Sequence, residues 1–415
     1  MRHRRQRLLP KVRTPVPGPR SKALIKQLRE TECAEVTFFS ESFPVVWQRG
    51  QGCLIQDADR NWYLDFAASF GALPLGHCWP AIVRTIRRQA GKLVHGMGDV
   101  HPSQAKIAAA RELLKRLPLE DGRVIFASTG AEAVEIALKT ALLATGRKGL
   151  LAFEGAYHGM TLGALRATWR KEFREPFVES PARFATYGEV DEVERALATG
   201  DYGAVLFEPI QGRGGIRVPP SGWDKQLRAL CDRHGALLIA DEVFCGMGRT
   251  GRWFDCDCAH VYCVGKALGG GLPLSACVGG VETMAAWGES TGEARHTSTF
   301  LGHPLACTIA LTVFNEIERL HLLERASTLG DAMRKELESM PGAKAVRGKG
   351  LMIGVEIEGG AERGWKVVVD CLQKGLILIQ AGAGDVIEIT PPLILQDSQA
   401  EAGLAILRRA LAASP

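Results

Sequence analysis

Val261-Tyr-Cys-Val-Gly-Lys266-Ala-Leu-Gly-Gly-Gly271 is the stretch of sequence that decides the fold. Its first four residues predict a buried strand, which ends in a lysine and a run of glycines. A second apolar run, residues 236–240, ends in Asp241 and Glu242. Short apolar runs bounded by turn residues are typical of strands that are covered on both faces of a mostly parallel sheet. The two runs together predict an α/β protein in which Lys266 and Asp241 lie at one edge of the sheet.

Three further apolar runs also end in polar residues. They are residues 124–127 before Ser128, residues 150–153 before Glu154, and residues 204–207 before Glu208. In open α/β sheets a ligand binds outside the carboxyl ends of the strands. We therefore expect all five sets of polar residues to meet at one edge and to form a binding site there.

The segment after Ser128 predicts a helix whose first turn suits a phosphate. Residues 131–139 contain strong helix formers and no glycine. The first turn of a helix carries unpaired N–H groups and the positive end of the helix dipole. The alternative is an ordinary Ser or Thr cap. A lysine that can form a Schiff base and a carboxylate that can hold a pyridinium nitrogen favour the phosphate site, because the three together equip a protein for pyridoxal phosphate.

Eight collinear runs extend this pattern over most of the chain. They are residues 64–66 with 75–77, 128–133 (Ser-Thr-Gly-Ala-Glu-Ala), 157–159 (Tyr-His-Gly), 208–212 (Glu-Pro-Ile-Gln-Gly), 241–243 with 248–251, 266–271, 298–300 with 303–306, and 350–352. On these runs the chain resembles the class III, ornithine and 4-aminobutyrate type, pyridoxal-phosphate aminotransferases. The resemblance implies an α/β fold of the PLP-dependent transferase type I, with a large domain around a mostly parallel sheet and a smaller α+β domain built from both termini.

The resemblance also implies a role for each matching residue. Lys266 would carry the cofactor as a Schiff base and move a proton between the substrate carbon and the cofactor. Asp241 would pair with the pyridinium nitrogen, Tyr157 would stack on one face of the ring, and Val243 would pack on the other. Lys266 and Asp241 are thus the predicted catalytic residues. The predicted cofactor-binding residues are Ser128, Thr129, Gly130, Ala131, Tyr157, His158, Glu208, Asp241, Val243, Lys266, Ser298 and Thr299.

Some members of that set carry more specific expectations. The backbone N–H groups of Gly130 and Ala131 would hold the phosphate. Thr299 would reach the phosphate in the neighbouring subunit, which makes the active site composite and a homodimer obligatory. Glu208 is expected near the ring, with a structural salt bridge as the alternative. His158 is interpreted as a packed, hydrogen-bonded histidine beside the stacking tyrosine.

The predicted substrate residues depart from the family pattern. Met160 stands where many members that act on ω-amino acids have an arginine. Arg213 and Glu388 stand where the family has a glutamate and an arginine, so the two charges are exchanged. Arginine suits a carboxylate and glutamate suits an ammonium or hydroxyl group. We therefore expect the two side chains to face each other as an ion pair of reversed polarity; the alternative is that both are surface charges.

These departures lead to a specific hypothesis about the reaction. The chain is predicted to be an aminotransferase that moves an amino group from an amino-acid donor, glutamate held by Arg213, to an aldehyde or ketone acceptor by ping-pong transamination. The acceptor would be an amine or amino sugar without a carboxylate, as in antibiotic biosynthesis of the aminoglycoside type. The alternatives are an ω-amino-acid, ornithine or 4-aminobutyrate aminotransferase, and a PLP-dependent epimerase.

Two aromatic residues near these runs also differ from the family. Trp79 replaces a common histidine, and it is interpreted either as part of the substrate entrance or as ordinary packing. Phe244 replaces a glutamine that many members place near the phenolic oxygen of the cofactor.

Composition places the chain among globular enzymes. Of its 415 residues 46% are hydrophobic and 23% are charged, and the formal net charge of +5 is small for this length. No apolar run has the length of a membrane span, and the first residues lack the apolar core of a signal peptide. We expect a cytoplasmic protein that binds neither membranes nor nucleic acid. Its basic N-terminal run, Arg2 to Arg20, is interpreted as a solvated tail.

Eleven cysteines are scattered in apolar surroundings, as free buried thiols are. Cys256, Cys258, His260 and Cys263 have the residue types of a zinc site. Their spacing does not match the common Cys-x-x-Cys pattern, so no metal is predicted.

Three segments are predicted along the chain. Residues 1–61 form an N-terminal segment that packs with the small domain, residues 62–305 form the large cofactor domain, and residues 306–415 form a linking helix and the small domain. A stripe of apolar residues, Ile309, Val313, Ile317 and Leu320, predicts the linking helix. Residues 352–357 and 375–379 are predicted strands, and residues 398–412 a closing helix.

Overall fold

The computed structural model of the chain describes residues 9–413, and the basic residues Arg2 to Arg7 lie outside that range. Its strands in chain order are β1 (Trp47–Gln51), β2 (Leu54–Asp57), β3 (Trp62–Asp65), β4 (Arg123–Ala127), β5 (Gly149–Phe153), β6 (Arg183–Ala185), β7 (Tyr202–Phe207), β8 (Leu237–Asp241), β9 (Val261–Val264), β10 (Ser275–Gly279), β11 (Ala343–Lys349), β12 (Met352–Ile357), β13 (Leu376–Ile377), β14 (Ile379–Ala381) and β15 (Val386–Ile389).

The helices alternate with these strands through most of the chain. In order they are α1 (Pro19–Thr31), α2 (Ala68–Gly71), α3 (Pro80–Ala90), α4 (Gln104–Leu114), α5 (Gly130–Thr145), α6 (Leu162–Leu165), α7 (Lys171–Arg174), α8 (Asp191–Leu197), α9 (Trp223–His234), α10 (Val281–Met284), α11 (Pro304–Arg319), α12 (Leu322–Glu338), α13 (Gly360–Gln373) and α14 (Asp397–Ala413). Short 3₁₀ turns cover Lys266–Gly269 and Ala285–Trp287.

A seven-stranded sheet forms the centre of the large lobe, in the order β4-β10-β9-β8-β7-β5-β6. The pairs from β9 to β6 are parallel, and β10 runs antiparallel to both of its neighbours. All five apolar runs predicted from the sequence are strands of this sheet, namely β4, β5, β7, β8 and β9. Because β10 is antiparallel to both β4 and β9, these two strands run in the same direction. The carboxyl ends of the five strands therefore lie at one edge of the sheet. The α/β prediction is confirmed.

Helix α5 covers one face of this sheet and extends the predicted helical run at both ends. Its buried residues include Val134, Ile136, Ala137 and Ala141, all at most 2% exposed. They pack in one cluster with Leu150, Leu206, Ile239, Val261 and Cys277 from the strands. This packing fixes the N-terminus of α5 at the edge where the strands end.

A second, antiparallel sheet of four strands, β11-β12-β15-β14, forms the core of the C-terminal lobe. Helix α11 leads into this lobe, and the predicted stripe residues Ile309, Val313 and Ile317 are fully buried. Leu320 follows the last turn of α11 as its C-cap. Glu388 lies on β15, opposite Gly354 of β12 and Ile379 of β14, in the interior of the sheet.

A third sheet joins the two ends of the chain, in the order β1-β2-β3-β13. The predicted strand over residues 375–379 is therefore two strands: β13 pairs in parallel with β3, and β14 pairs with β15 in the C-terminal sheet. Only Leu378 separates them, so one residue carries the chain from one sheet to the other. The pairing of β3 with β13 is compatible with the predicted N-terminal segment, whose limits at residues 61 and 305 stay predictions.

None of the helices within residues 9–413 is both long enough and apolar enough to cross a bilayer.

Candidate active site

Asp241 is the last residue of β8, and its carboxylate is held from two sides. One oxygen, Oδ2, lies 2.8 Å from Nδ1 of His158. The other, Oδ1, accepts the backbone N–H of Val243 at 3.0 Å. The side chains of Asp241 and His158 are 6% and 0% exposed. Strand β8 therefore presents a fixed carboxylate at its carboxyl end, and the prediction that His158 is packed and hydrogen-bonded agrees with this contact.

The second ring nitrogen of His158, Nε2, lacks within residues 9–413 the kind of partner that Nδ1 has. Nε2 is buried and has no hydrogen-bond partner among the described residues. A buried polar atom without a partner costs free energy unless a ligand or water satisfies it. Nε2 of His158 could therefore form a hydrogen bond with a bound ligand or a water molecule.

Glu208 follows β7 and supports the segment that carries Tyr157. Its Oε1 accepts the backbone N–H of Tyr157 and its Oε2 that of Gly212, both at 3.0 Å. Burial raises the pKa of Glu208 to about 7, and the nearby charge of Asp241 acts in the same direction. No salt bridge involving Glu208 occurs in the described part of the chain, so the salt-bridge alternative is wrong. Glu208 instead holds two loops in place by accepting their backbone N–H groups.

Lys266 follows β9 and lies in a left-handed backbone conformation, with φ of 39°. Such a conformation is unusual for a residue with a side chain, and it occurs often at functional sites. Burial lowers the pKa of the Lys266 amine. Four titratable groups close to the amine act in the opposite direction: Asp241, Glu208, Glu388 and Cys245. The structure thus brings Lys266, Asp241, Glu208 and Glu388 into one cluster.

The N-terminus of α5 has a capping box that leaves two N–H groups free. Thr129 accepts the backbone N–H of Glu132 at 3.2 Å, and Glu132 accepts those of Ser128 and Thr129 at 2.7 and 3.2 Å. The N–H groups of Gly130 and Ala131 come next in the first turn, and no acceptor within the described residues binds them. These two N–H groups are the ones that the sequence analysis assigned to a phosphate.

Val243 fills the space between the helix and the lysine. A Cβ atom added to Gly130 would lie 2.7 Å from Cγ1 of Val243, and one added to Gly265 would lie 3.2 Å from the same atom. Glycine at both positions lets α5 and the lysine segment approach Val243 closely. An apolar side chain, an amine, a carboxylate and two free N–H groups thus converge, and this donor set fits pyridoxal phosphate: Lys266 and Asp241 would hold its ring end and the first turn of α5 its phosphate.

Phe244 occupies the position of the family glutamine and packs against the lysine. The Nζ atom of Lys266 lies 4.6 Å from the centre of the Phe244 ring. A Cβ added to Gly71 or Gly212 would lie 2.7 or 2.3 Å from ring atoms of Phe244. The ring is therefore packed between two glycines, and it presents an aromatic face to the lysine.

Arg213 lies at the mouth of the cleft between the two lobes. Its backbone carbonyl accepts the N–H of Gly382, at the turn between β14 and β15, at 2.9 Å. Arg170 donates a hydrogen bond to the carbonyl of the same Gly382. Burial lowers the pKa of Arg170, and the charge of Arg213 lowers it further. Neither guanidinium group forms an ion pair with any carboxylate in the range 9–413. The two guanidinium groups are thus near enough to act on each other, and the charge of Glu172 offsets part of this effect on the pKa of Arg170.

The expected ion pair of Arg213 with Glu388 is not formed. Glu388 is only 2% exposed, so the alternative that it is a surface charge is also wrong. Its Oε1 accepts the Thr390 hydroxyl at 3.1 Å. Burial raises the pKa of Glu388, and the charge of Arg213 lowers it through space without contact. The interior position on β15 keeps the carboxyl group out of reach of the arginine, and burial favours its neutral form.

The two remaining predicted substrate residues have different surroundings. Met160 is 49% exposed. Trp79 donates its indole N–H to Oε2 of Glu316 on α11 at 2.7 Å, and its ring packs partly against the core. The contact with Glu316 agrees with the packing interpretation of Trp79.

Ser298 and Thr299 lie in the loop before α11, and Thr299 is exposed. No hydrogen bond within the described part of the chain connects either side chain with the Lys266 cluster. Their assignment to the cofactor depends on a second subunit and stays a prediction.

Sequence reasoning missed Arg170 and Glu242. Arg170 lies outside every run that resembles the family, and no local pattern marks it. Glu242 follows Asp241 in the same run and is 1% exposed. Its Oε1 accepts the N–H groups of Asp255 and Cys256, both at 2.7 Å. Glu242 is therefore the anchor of the loop between β8 and β9.

Glu242→Gln should make stability less dependent on pH. Burial raises the pKa of Glu242 from 4.5 to about 8. Between these values the folded protein keeps a proton that the unfolded chain releases, so the free energy of unfolding falls as pH rises. Glutamine cannot titrate but keeps an oxygen for both N–H groups. Because each pKa unit is worth about 1.4 kcal/mol, we expect the fall between pH 5 and pH 8 to shrink by a few kcal/mol. Urea unfolding at both pH values measures it, and an unchanged fall contradicts the assignment.

Known proteins resemble this chain over nearly its whole length. The family profile described as Aminotransferase class-III matches residues 38–411. The acetylornithine aminotransferase of Methanopyrus kandleri is 40% identical over 379 residues, which cover 90% of this chain and 95% of that protein. The 5-aminovalerate aminotransferase of Pseudomonas aeruginosa is 34% identical over 417 residues, covering 92% and 96%. The alanine/serine racemase of Pyrococcus horikoshii is 35% identical over 445 aligned positions, covering 97% and 92%.

The fold is also shared with solved structures. The ornithine aminotransferase of Toxoplasma gondii, described with partial occupancy of PLP at its active site, superimposes with a TM-score of 0.85. It is 29% identical, and the match covers 95% of this chain and 94% of the other. The likeness extends over both lobes and the cleft between them.

Proposed function

The chain belongs to the class-III aminotransferase family and uses pyridoxal phosphate, and from this premise we propose that it is an ω-amino-acid aminotransferase whose substrates carry a carboxylate. The single observation that carries the proposal is the pair formed by Arg170 and Arg213, two guanidinium groups at the cleft mouth with no carboxylate partner among residues 9–413. A guanidinium group binds a carboxylate through two parallel hydrogen bonds. Met160 has no charged group that could bind the distal carboxylate of a substrate, so we assign that contact to the two arginines.

The relatives favour the same class of substrates. The three aminotransferases reported above are named for acetylornithine, 5-aminovalerate and ornithine. Each of these molecules carries a carboxylate several carbons from a terminal nitrogen. The comparisons do not support the amino-sugar acceptor and the antibiotic pathway predicted from the exchanged charges. That prediction required Glu388 to offer a negative charge to an ammonium group, and burial favours the neutral acid instead.

The residues of the site divide the chemistry among them. Bound pyridoxal phosphate supplies an electron sink for the bond to hydrogen at the carbon that carries the amine. Burial lowers the pKa of Lys266, which increases the neutral fraction of its amine, and Nζ can then take a proton from that carbon. Asp241, held by His158 and by the Val243 N–H, would accept a hydrogen bond from the ring N–H. Tyr157 and Val243 would enclose the ring.

The ring-stacking assignment has support from the neighbours of Tyr157. Its ring meets that of Phe173 edge to face, with ring centres 6.0 Å apart. The guanidinium carbon of Arg170 lies 5.9 Å from the centre of the same Phe173 ring. Phe173 therefore lies between the stacking tyrosine and Arg170, so the proposed ring site and one of the two arginines are joined by direct contacts.

A homodimer with a composite site is part of the proposal. Several large apolar side chains are exposed in the segments around the cleft: Phe70, Leu93, Val94, Met97, Val100 and Phe300 are 44–63% exposed. Apolar patches of this kind mark protein interfaces. A partner subunit on this face would bring the loop with Ser298 and Thr299 to the other active site. The cytoplasmic location of the protein also stays a prediction.

Arg213→Met should lower the activity toward substrates with a carboxylate and leave the activity toward simple amines almost unchanged. Because a hydrogen bond between charged groups contributes about 1.5–3 kcal/mol, kcat/KM for 5-aminovalerate should fall about 10- to 100-fold. Pentylamine, which has the same chain and no carboxylate, should lose almost nothing. The matched control is Arg217→Met in the same loop, since Arg217 is exposed and donates only a long hydrogen bond of 3.4 Å to the Glu154 carbonyl. An equal loss for both substrates would contradict the carboxylate grip.

One of the relatives is named as a racemase, so racemisation or epimerisation is a second candidate reaction. An epimerase or racemase inverts a stereocentre without any oxo acceptor. Incubating the enzyme with single amino acids and no 2-oxo acid distinguishes the two. We expect one turnover per site and then arrest, because transamination requires the second half-reaction; continuous inversion would assign the chain to racemisation instead.

A further inference from the structure

Three potential metal ligands meet between the first turn of α9 and the loop that precedes β9. Asp224 lies in the first turn of α9, and Cys256 and Cys258 lie in the loop before β9. Their ligand atoms all lie within 4.8 Å of one another. The two sulfur atoms are 3.9 Å apart, and Sγ of Cys258 lies 3.7 Å from Oδ2 of Asp224. The cluster takes no part in the proposed transamination.

These separations agree with tetrahedral coordination. Zinc binds thiolate sulfur at about 2.3 Å and carboxylate oxygen at about 2.0–2.2 Å, usually with four ligands. Two sulfur ligands at tetrahedral angles are then about 3.8 Å apart, and a sulfur and an oxygen about 3.5 Å apart. The Cys256–Cys258 and Cys258–Asp224 separations therefore suit a single cation as they stand. The carboxylate of Asp224, which lies within 4.8 Å of the Cys256 sulfur, would move toward Cys256 to complete the set.

The surroundings hold the ligands in place and leave one side open. Cys256 is 1% exposed, whereas Cys258 and Asp224 are partly exposed. The backbone N–H of Cys256 donates to Glu242, and Arg228 donates to the Cys258 carbonyl at 2.8 Å. Hydrogen bonds that orient the ligating segment are typical of built metal sites. The open side gives a cation an entry path and a solvent ligand.

The two thiols lie close enough together for one cation to act on both, since their sulfur atoms are 3.9 Å apart. Two thiolates at this distance repel each other. A divalent cation that prefers sulfur would remove the repulsion and displace the two thiol protons to solvent, which leaves a site of two thiolates, one carboxylate and one cation.

We propose that Asp224, Cys256 and Cys258 form a binding site for a thiophilic divalent cation of the zinc type, with solvent as the remaining ligand. The sequence analysis predicted no metal because Cys256 and Cys258 lack the usual spacing. The third ligand, Asp224, lies in a helix 34 residues before Cys258, so spacing within the cysteine segment does not reveal it. His260, considered then as a ligand, is used otherwise: its Nδ1 accepts the Leu238 N–H and its Nε2 lies 2.9 Å from Asp232.

Cadmium titration of the PLP-loaded enzyme tests the site. The full-length protein is reduced, freed of metal with a chelator, and titrated with Cd²⁺ while thiolate-to-metal charge-transfer absorption is followed in the ultraviolet. We expect about one Cd²⁺ per chain to bind with this absorption, and Zn²⁺ to displace it. Cys258→Ser and Asp224→Asn should each weaken binding, and Cys256→Ser with Cys258→Ser should remove the absorption.

Matched variants distinguish the site from incidental thiols. Asp257→Asn changes the exposed residue between the two cysteines, and Cys33→Ser removes an exposed thiol elsewhere. Both should bind Cd²⁺ as the parent does. Because Cys258 and Asp224 are partly exposed, their variants should keep the cofactor absorbance, which reports an intact fold independently of metal. The proposal is overturned if the double cysteine variant retains the charge-transfer band, or if Cys33→Ser alone removes it.

Discussion

Replacing Lys266 by alanine should abolish transamination while leaving the fold intact. General acid and base catalysis contributes about 10²- to 10⁴-fold, and the covalent attachment of the cofactor is lost as well, so we expect turnover to fall by at least about 10⁴-fold. Because alanine carries a Cβ as lysine does, the left-handed backbone at residue 266 costs the variant no more than the parent. The measurement is glutamate formation from 5-aminovalerate and 2-oxoglutarate, together with bound cofactor after dialysis.

A small external amine separates a chemical from a structural cause. If Nζ moves the proton, methylamine should restore a measurable part of the lost turnover in Lys266→Ala. The matched control is Lys366→Ala, on the surface of α13, where the lysine pairs only with the exposed Glu362; it should keep full activity. Near-normal turnover of Lys266→Ala in a preparation free of host aminotransferases would refute the role of this lysine.

Asp241→Asn should have the second largest effect, a loss of about 10²- to 10³-fold in turnover, similar to the loss of one oriented electrostatic partner at a reacting group. Asparagine is nearly the same size and can keep the contacts with His158 and the Val243 N–H. It removes only the negative charge that favours a protonated ring nitrogen. The fold and the melting temperature should therefore change little, while turnover and cofactor affinity fall together.

A modified cofactor tests that explanation directly. Pyridoxal phosphate methylated on the ring nitrogen carries a fixed positive charge and needs no proton there. With this cofactor, wild-type protein and Asp241→Asn should differ far less than with the natural one. If the two enzymes still differ by the full factor, Asp241 acts by positioning rather than by charge, and the assignment changes accordingly.

The large sheet could be predicted because each strand has a strong local signal. Residues 261–264 and 237–241 are apolar throughout and end at glycine or acidic residues, and strands covered on both faces show this pattern. Once five such strands share a direction, their carboxyl ends must share an edge, so Lys266 and Asp241 could be placed together without coordinates. The same argument placed Glu208 correctly but not its partners.

The features that escaped prediction depend on contacts between distant segments. Arg170 and Arg213 meet only through Gly382, which comes from the other lobe. Glu388 lies in a run that was not predicted to be a strand, and its burial and its bond with Thr390 depend on how β15 lies between two neighbours. The sequence around Glu388 does not show which strands will lie on either side of it, and those neighbours determine how deeply its side chain is buried. The amino-sugar hypothesis lost its premise for this reason, since it depended on an ion pair between Arg213 and Glu388 that the structure does not form, and the comparisons do not support it.

The division of residues 375–379 between two sheets has a similar cause. The run is apolar throughout and reads as one strand. Leu376 lies opposite Leu64 of β3, whereas Ile379 lies opposite Glu388 of β15. The partners, and not the run itself, decide where one strand ends and the next begins.

The most direct test of the account is the absorbance of the bound cofactor when the purified enzyme meets one amine at a time, without any acceptor. The account predicts that 5-aminovalerate, acetylornithine and ornithine convert the yellow enzyme to its amine form. An aminoglycoside such as neamine and a simple diamine should do so much more slowly, because they offer Arg170 and Arg213 no carboxylate. Rapid conversion by the amino sugar or the diamine, with no change in the presence of the ω-amino acids, would contradict the proposed substrate class.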